Sequence, residues 1–177
     1  MKRISAVIVL LALSTCGCGY ALAGRGSFLP DYIRTVGIPQ LVNNSTFFQV
    51  EQTLTEKIRA EFIGRGRYTV LPAPEGADAV VTGAVTSISV QPVGFNDQQL
   101  ASRYLFMLTM RVEFTDARTK QVLWSTNALT FREEYELTTR SNTALEGETF
   151  LTQERSSFDR IADDVARTVV TAIVEAF

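Results

Sequence analysis

The sequence YLFMLTMRVEFT, residues 104–115, decides the fold because it alternates between two sets of side chains. One set is wholly apolar: Tyr104, Phe106, Leu108, Met110, Val112 and Phe114. The other becomes polar towards its end: Leu105, Met107, Thr109, Arg111, Glu113 and Thr115. A period of two residues is typical of a β-strand with one buried face. We expect the first set to face helices, and Leu105 and Met107 to be left for solvent, a partner or an acyl chain.

The segments on either side of this strand predict an antiparallel sheet. Residues 116–120 form a tight turn, and residues 121–136 return as an antiparallel partner. Upstream, residues 78–90 are rich in β-branched side chains and predict another strand. Residues 91–102, which contain Pro, Gly and Asn, are expected to form a polar loop. The long hairpin formed by residues 104–115 and 121–136 is expected to extend beyond the part of the sheet that helices cover.

Nearer the N-terminus, the sequence predicts a strand, a helix and a second strand. Residues 34–41 and 68–71 are the two strands, and the capping residues Asn43–Thr46 precede the helix. The helix presents one apolar stripe at a spacing of four: Val50, Leu54, Ile58 and Phe62. A compact unit of this order predicts a right-handed βαβ crossover with two parallel strands.

A long amphipathic helix closes the chain after a polar segment, residues 138–147. Its apolar face consists of Phe158, Ile161, Val165, Val169, Ile173 and Phe177. The opposite face carries both signs of charge, which is typical of a helix packed on a core rather than on a membrane. The predicted fold is therefore α+β: a two-layer sandwich of a mixed four- to five-stranded sheet with two helices on one face, over residues 31–177.

The N-terminal residues have the order of a bacterial lipoprotein signal. Lys2 and Arg3 precede an apolar run, residues 4–13, that is too short to span a bilayer, and cysteine follows. We expect residues 1–17 to be a signal peptide and residues 18–30 to be a lipidated tether. The mature chain then carries a covalent diacylglycerol and N-acyl lipid, and no dissociable cofactor.

Two cysteines compete for the acyl group. Cys18 follows Gly17, the small residue that the signal peptidase prefers, and is the favoured attachment site. Cys16 has Leu13 three residues before it and is the alternative. An ordinary signal peptide with incidental cysteines is the third interpretation.

Composition excludes several classes of function. Without Lys2 and Arg3 the chain has 15 basic and 19 acidic residues, a net charge of −4, which does not suit nucleic acid. The chain contains no histidine, so the usual general base near neutral pH and the commonest zinc ligand are both absent. The carboxylate pairs available are Glu133-Glu134 and Asp163-Asp164. Asp163 and Asp164 cannot converge on one substrate, since adjacent helical residues point about 100° apart. We therefore expect neither an enzyme nor a metal site.

Several segments, taken in order, resemble the LptE family of lipopolysaccharide-assembly lipoproteins. They are Cys-Gly-Tyr at 18–20, LPDYIRTVGIPQLVNNS, LTEKIRAEFIGRGRYTVL, ADAVVTGAVTSISV, TKQVLWSTNALTFREEYEL and the closing helix. The resemblance runs from Cys18 to the C-terminus, and its motifs are structural rather than catalytic. It implies an outer-membrane lipoprotein on the periplasmic side that plugs the LptD β-barrel, assists its assembly and binds lipopolysaccharide.

Lipopolysaccharide contacts in that family involve basic residues near loops, and the loop at 91–102 has none before Arg103. We therefore name Arg103, Arg118, Lys120 and Arg140 as the candidate lipopolysaccharide-binding residues, because loop cations suit phosphate. Ordinary solvated charges are the competing interpretation of each.

A second class of lipoproteins shares several of these features. Activators of peptidoglycan synthases and curli-secretion proteins also have a strand, an Asn-Ser/Thr loop and a helix ending in Gly-Arg-Tyr or Gly-Arg-Phe. The tether distinguishes them, because about a dozen residues at roughly 3.3–3.6 Å each do not cross the periplasm. A partner within the outer membrane is therefore favoured.

Overall fold

Three long strands and two helices dominate the structure, a computed structural model that describes residues 29–97, 99–136 and 146–176, with 146–154 described as backbone alone. In chain order the elements are β1 (Thr35–Gly37), β2 (Val42–Asn43), α1 (Val50–Gly64), β3 (Thr69–Leu71), β4 (Ala79–Phe95), β5 (Ala101–Asp116), β6 (Val122–Glu136) and α2 (Glu146–Val174). The predicted βαβ unit is thus β1–α1–β3, and β1 and β3 pair in parallel as expected.

Within the described residues, six strands form one mixed sheet in the order β3-β1-β4-β5-β6, with β2 paired to β4. β1 and β2 run parallel to β4, whereas β4–β5 and β5–β6 are antiparallel. The predicted α+β class is confirmed. The strand beyond the expected five is β2, whose two residues are too short to produce a period in the sequence.

The alternation in β5 sorts its side chains between the two faces as predicted. The buried members are Phe106, Leu108, Met110, Val112 and Phe114. Leu105 and Met107, which point to the opposite face, are half-buried. The prediction for this strand is confirmed, including the turn at 116–120, where the Lys120 amide donates to the Asp116 carbonyl at 2.9 Å.

The stripe on α1 is also confirmed, because Val50, Leu54, Ile58 and Phe62 are all buried. The prediction that Asn43–Thr46 cap the helix is wrong. The N-cap is Gln49, in a left-handed conformation with φ 64° and no side-chain capping bond. The Asn43 amide instead donates to the Phe47 carbonyl at 2.6 Å and to Glu51 at 2.8 Å, which organises the loop before the helix.

The closing helix covers the same face of the sheet as α1. Its buried large side chains are Ile161, Val165, Val169, Val170 and Ile173, whereas Phe158 is half-buried and Phe177 lies outside the described residues. Lys57 pairs with Asp163 at 2.7 Å, and the Arg65 guanidinium donates to the Thr171 hydroxyl at 2.6 Å. Neither described helix has the length and apolar character that a membrane span requires.

The expected loop at 91–102 is mostly strand, and that prediction is wrong. β4 continues to Phe95 and β5 begins at Ala101. Pro92 and Gly94 lie at shifts in the β4–β5 register, where an irregular pair tolerates a missing donor or side chain. These residues interrupt the ladder without ending it, so they gave a false signal for a loop.

Candidate functional site

The distal part of the β4–β5 hairpin, residues 91–105, extends beyond the buried core, and we call it the arm. Of its described residues only Gly94 is buried. The core resumes at Phe106 on β5, and Tyr104 stacks on Tyr135 of β6 at 5.7 Å where the arm begins. Among the residues whose side chains the structure describes, the arm is therefore a β-structure outside the packed core.

Three large apolar side chains are exposed at the tip of the arm. Val93, Phe95 and Leu100 are 42%, 65% and 59% exposed. The turn between them is held by Asn96, whose amide donates to the Leu100 carbonyl and whose side-chain oxygen accepts from the Leu100 amide, both at 2.9 Å. Apolar surface gathered at an ordered tip is typical of a contact with a partner or a lipid.

A cation lies beside this apolar tip. A Cβ atom added to Gly94 would lie 2.6 Å from Nε of Arg103, so the arginine side chain crosses the glycine backbone. Only glycine leaves room for this approach without a shift of the arginine. Sequence reasoning named Arg103 but not Val93, Phe95 or Leu100. The available signal was the presence of three large apolar residues within an otherwise polar Gly-Pro-Asn segment.

The opposite end of the sheet, where the described chain begins, carries a network of polar contacts, and we call it the tether end after the tether predicted at residues 18–30. The Tyr32 hydroxyl donates to Oδ2 of Asp116, and Oδ1 of Asp116 accepts from the Arg118 and Thr119 amides at 2.7 and 2.9 Å. The bond from Tyr32, followed by the backbone bonds, lowers the pKa of Asp116 to about 2. The same bond raises the pKa of Tyr32. The network fixes the entering chain to the β5–β6 turn.

Arg118 completes this network from above the tyrosine ring. Its guanidinium carbon lies 4.5 Å from the ring centroid of Tyr32, a cation–π contact. Nearby, Oδ2 of Asp78 accepts from the Arg34 and Thr35 amides at 3.0 and 2.8 Å. Both carboxylates are therefore engaged by neutral donors, and the guanidinium of Arg118 remains exposed.

The structure separates the candidate lipopolysaccharide-binding residues. Arg103 lies on the arm, whereas Arg118 and Lys120 lie in the turn after β5, at the opposite end of the sheet. Thirteen residues of strand separate Arg103 from Asp116 at the turn, which at about 3.3 Å each places the two positions roughly 43 Å apart. Arg140 and Cys18 lie outside the described residues. The three described cations therefore do not form one site, and their lipid-binding role stays a prediction.

An aromatic groove lies between the start of α1, the middle of β5 and α2. The cavity is about 420 Å³, and Phe47, Phe106 and Phe158 form its walls. The ring centroids of Phe47 and Phe158 lie 6.0 and 6.1 Å from that of Phe106, and Phe48 is exposed at the rim. Arg155 and Asp159 both line the groove, so its charges oppose one another.

Acidic and thiol groups do not gather into a metal site anywhere in the described part of the chain.

Two solved lipoproteins share this architecture. A minor lipoprotein from Acinetobacter baumannii is 15% identical, with coverage of 82% of this chain and 93% of that chain and a TM-score of 0.53. An uncharacterized lipoprotein B from Nitrosomonas europaea is also 15% identical, covering 88% of this chain and 90% of its own, with a TM-score of 0.52. At such low identity, these likenesses show the fold alone.

No curated protein matches this chain in sequence. A family model does match, described as "LptE: Lipopolysaccharide-assembly", over residues 33–174. The match includes every described strand, both described helices and the arm, and it begins at the residue after Tyr32. The chain therefore belongs to the LptE family of lipopolysaccharide-assembly proteins.

Proposed function

We propose that this protein is a lipid-anchored subunit of the outer-membrane lipopolysaccharide translocon, in which it plugs an LptD-type β-barrel and assists its assembly. In the same role it binds lipopolysaccharide during delivery to the outer leaflet. The observation that carries this proposal is the arm, whose exposed apolar tip lies at the end of the sheet remote from the entering chain. The family match supports lipopolysaccharide assembly as the process in which the arm acts.

The length of the molecule supports a position inside a barrel. β5 alone extends roughly 50 Å from the tether end to the arm, which exceeds the ~40–45 Å thickness of a bilayer with its headgroups. A domain held at one leaflet by its tether end therefore brings the arm to the level of the other leaflet. β6 is an edge strand of the sheet, and the helices carry charged outer faces. Neither surface suits contact with lipid, so the water-filled interior of a barrel is the better environment for the domain.

The arm also has the chemistry that lipopolysaccharide requires. Lipid A presents phosphates beside acyl chains, and the arm presents Arg103 beside Phe95 and Leu100. Arg118, Lys120 and Arg140 remain further candidates for phosphate contacts, at other positions in the chain.

The anchor proposed for this subunit is a diacylglycerol and N-acyl lipid on Cys18. Leu29, the first described residue, lies eleven positions after Cys18, a span of at most roughly 40 Å. Acyl chains contribute about 0.8 kcal/mol per buried CH₂, so several chains hold the protein on the outer membrane, facing the periplasm. The peptidoglycan-synthase and curli-secretion alternatives gain no support from the family match.

Affinity purification from the native host tests the proposal. Full-length protein with a C-terminal tag is isolated from detergent-solubilised outer membranes, and its partners are identified by mass spectrometry. We expect a large β-barrel together with lipopolysaccharide. Recovery of a peptidoglycan synthase without a barrel would refute the proposal.

A further inference from the structure

Phe48 is the most exposed of the large apolar side chains in the described part of the chain, at 93%. The residues around it are fixed: the Phe47 carbonyl accepts from the Asn43 side-chain amide at 2.6 Å, and Val50 is buried at the start of α1. The Phe47 amide also donates to the Ser45 hydroxyl at 3.2 Å. Phe48 therefore projects from an anchored loop, and with the aromatic groove beside it forms a contiguous apolar patch.

The aromatic groove beside Phe48 suits a further aromatic ring. The rings of Phe47 and Phe106 are 6.0 Å apart at 73°, and the ring of Phe158 lies 6.1 Å from that of Phe106 at 45°. Aromatic rings prefer such tilted arrangements at centroid distances of about 4.5–7 Å, so an added ring continues the same packing. The cavity of about 420 Å³ between these walls has the size of a binding pocket, for which roughly 300–1,000 Å³ is usual.

Two charged residues that line the groove, Arg155 and Asp159, have opposite signs and lie one turn apart on α2. Both are exposed, and neither forms an ion pair with another described residue. One positive and one negative charge become complementary to themselves when the pattern is turned by 180°, because each charge then faces its opposite. A partner with a single sign of charge is repelled by one of the two. The charges of the groove therefore fit a second copy of this chain.

The exposed ring and the groove lie side by side, as a two-fold axis requires. In an isologous interface the same patch serves both protomers, so a projecting side chain must lie beside the recess that receives its counterpart. Phe48 lines the rim of the same cavity whose walls are Phe47, Phe106 and Phe158. Rotation about an axis at that rim exchanges the two Phe48 rings between the two grooves.

We propose that the protein forms a two-fold dimer through this surface. Phe48 of each protomer inserts into the groove of its partner, and Arg155 of each protomer faces the partner's Asp159. The ring that one protomer supplies completes the aromatic cluster of the other, so the groove is filled only in the dimer. None of the three apolar residues at the tip of the arm lines the groove, so the dimer does not depend on the proposed function.

Sedimentation of the full-length protein tests the dimer, in an excess of detergent micelles so that chance sharing of a micelle is rare. Measurements from about 1 to 100 μM should show a monomer–dimer equilibrium. Phe48→Ala should weaken the dimer on the order of a hundredfold, because truncation of a buried aromatic anchor costs roughly tenfold or more and the two-fold axis counts it twice. The matched control is Ile63→Ala, which removes another exposed apolar side chain, near the far end of α1, and should dimerise as the parent does.

A charge exchange tests the two-fold geometry. Arg155→Asp alone and Asp159→Arg alone each place like charges opposite one another, so each should weaken self-association on the order of tenfold. A mixture of the two variants restores opposite charges at both contacts. Tagged Arg155→Asp should therefore capture untagged Asp159→Arg in preference to untagged Arg155→Asp. Restoration by mixing requires contact between two chains, because neither chain is repaired by itself. Circular dichroism verifies that every variant folds.

Three results would overturn the dimer: a monomer at every concentration, equal self-association of Phe48→Ala and Ile63→Ala, or no preferential capture in the mixture. A monomer that takes up a fluorescent fatty acid, with uptake lost in Phe48→Ala, would also overturn it and would assign the groove to an acyl chain. None of these results bears on the recovery of a β-barrel in the affinity purification, which tests the proposed function separately.

Discussion

Removal of the apolar tip of the arm should abolish stable association with the barrel. The change is a triple variant, Val93→Ser, Phe95→Ser and Leu100→Ser. Burial of a large apolar side chain contributes about 1.5–3 kcal/mol, and these three are 42%, 65% and 59% exposed in the isolated domain. Complete burial of the remaining surface in a partner is therefore worth about 2.5–5 kcal/mol. That corresponds to a loss of affinity of roughly 60- to 4,000-fold.

The assay is co-purification of the barrel with tagged full-length protein, measured against a matched control. The chain offers a second set of exposed apolar residues of similar size, Val42, Ile63 and Val122, at 55%, 60% and 45% exposure on other parts of the domain. Their triple serine variant should recover the barrel at the parental level. Both variants should unfold within a few degrees of the parent, because exposed substitutions change stability by about 0.5 kcal/mol or less each.

Two results would refute this reasoning. Full recovery of the barrel with the arm variant would show that the tip is not a contact surface. Equal losses with both triple variants would show that general surface polarity, rather than the arm, controls recovery. Loss of lipopolysaccharide with retention of the barrel would assign the tip to the lipid and leave the barrel contact elsewhere.

The remaining predictions concern the anchor and the stability of the domain. Cys18→Ala should abolish palmitate labelling while Cys16→Ala retains it, and the reverse pattern would move the anchor to Cys16. Phe62→Ala should lower the free energy of unfolding by about 3–5 kcal/mol in urea titrations, since Phe62 is fully buried; a loss below about 1 kcal/mol would contradict its place in the core. Gly83→Val should destabilise by about 1–3 kcal/mol, because an added Cβ would lie 2.8 Å from the Arg111 carbonyl oxygen; unchanged stability would show that the sheet yields there. The pKa of Asp116 is lowered to about 2 by its Tyr32 and backbone bonds, so its contribution is present above the usual pKa of 3.8 and is lost as the pH falls towards 2. Asp116→Asn should reduce the slope of stability against pH in that window, and an unchanged slope would count against the network.

Periodicity in the sequence predicted the parts of the fold that are defined by burial. The alternation of residues 104–115 and the stripe on α1 each report which side chains face the core, and both are local properties of the chain. The parallel pairing of β1 and β3 followed from the order strand, helix, strand. These predictions needed no knowledge of distant contacts.

The short strand β2 and the true N-cap of α1 were not predicted, because both depend on contacts between residues that are far apart in the sequence. β2 consists of two residues and exists because Val42 and Asn43 pair with Ala84 and Val85. Gln49, rather than Asn43, is the N-cap of the helix, because pairing in β2 holds Asn43 six residues before it, where its side chain bonds Phe47 and Glu51 instead. Neither outcome follows from local residue preference.

The arm shows why the candidate site was harder to predict than the fold. Pro92 and Gly94 usually indicate a loop, but here they occupy irregularities of a continuous ladder, and Gly94 makes room for Arg103. Val93, Phe95 and Leu100 belong to no repeating pattern, because exposed side chains do not follow the periodicity that burial in the core imposes.

The positions of Arg103 and Arg118 along β5 indicate where each cation lies in the folded domain, which the composition of the individual loops does not. Arg103 and Arg118 flank the alternating stretch that defines β5, so an extended conformation there requires that they lie at opposite ends of the molecule. One end of β5 then lies beside the tether and the other carries the apolar tip. A single continuous strand thus fixes the distance between the end where the described chain begins and the arm. Under the proposed function, the extended length of β5, roughly 50 Å, is comparable to the ~40–45 Å thickness of a bilayer with its headgroups, so the geometry that separates the predicted lipid contacts is compatible with a domain that reaches from one leaflet towards the other.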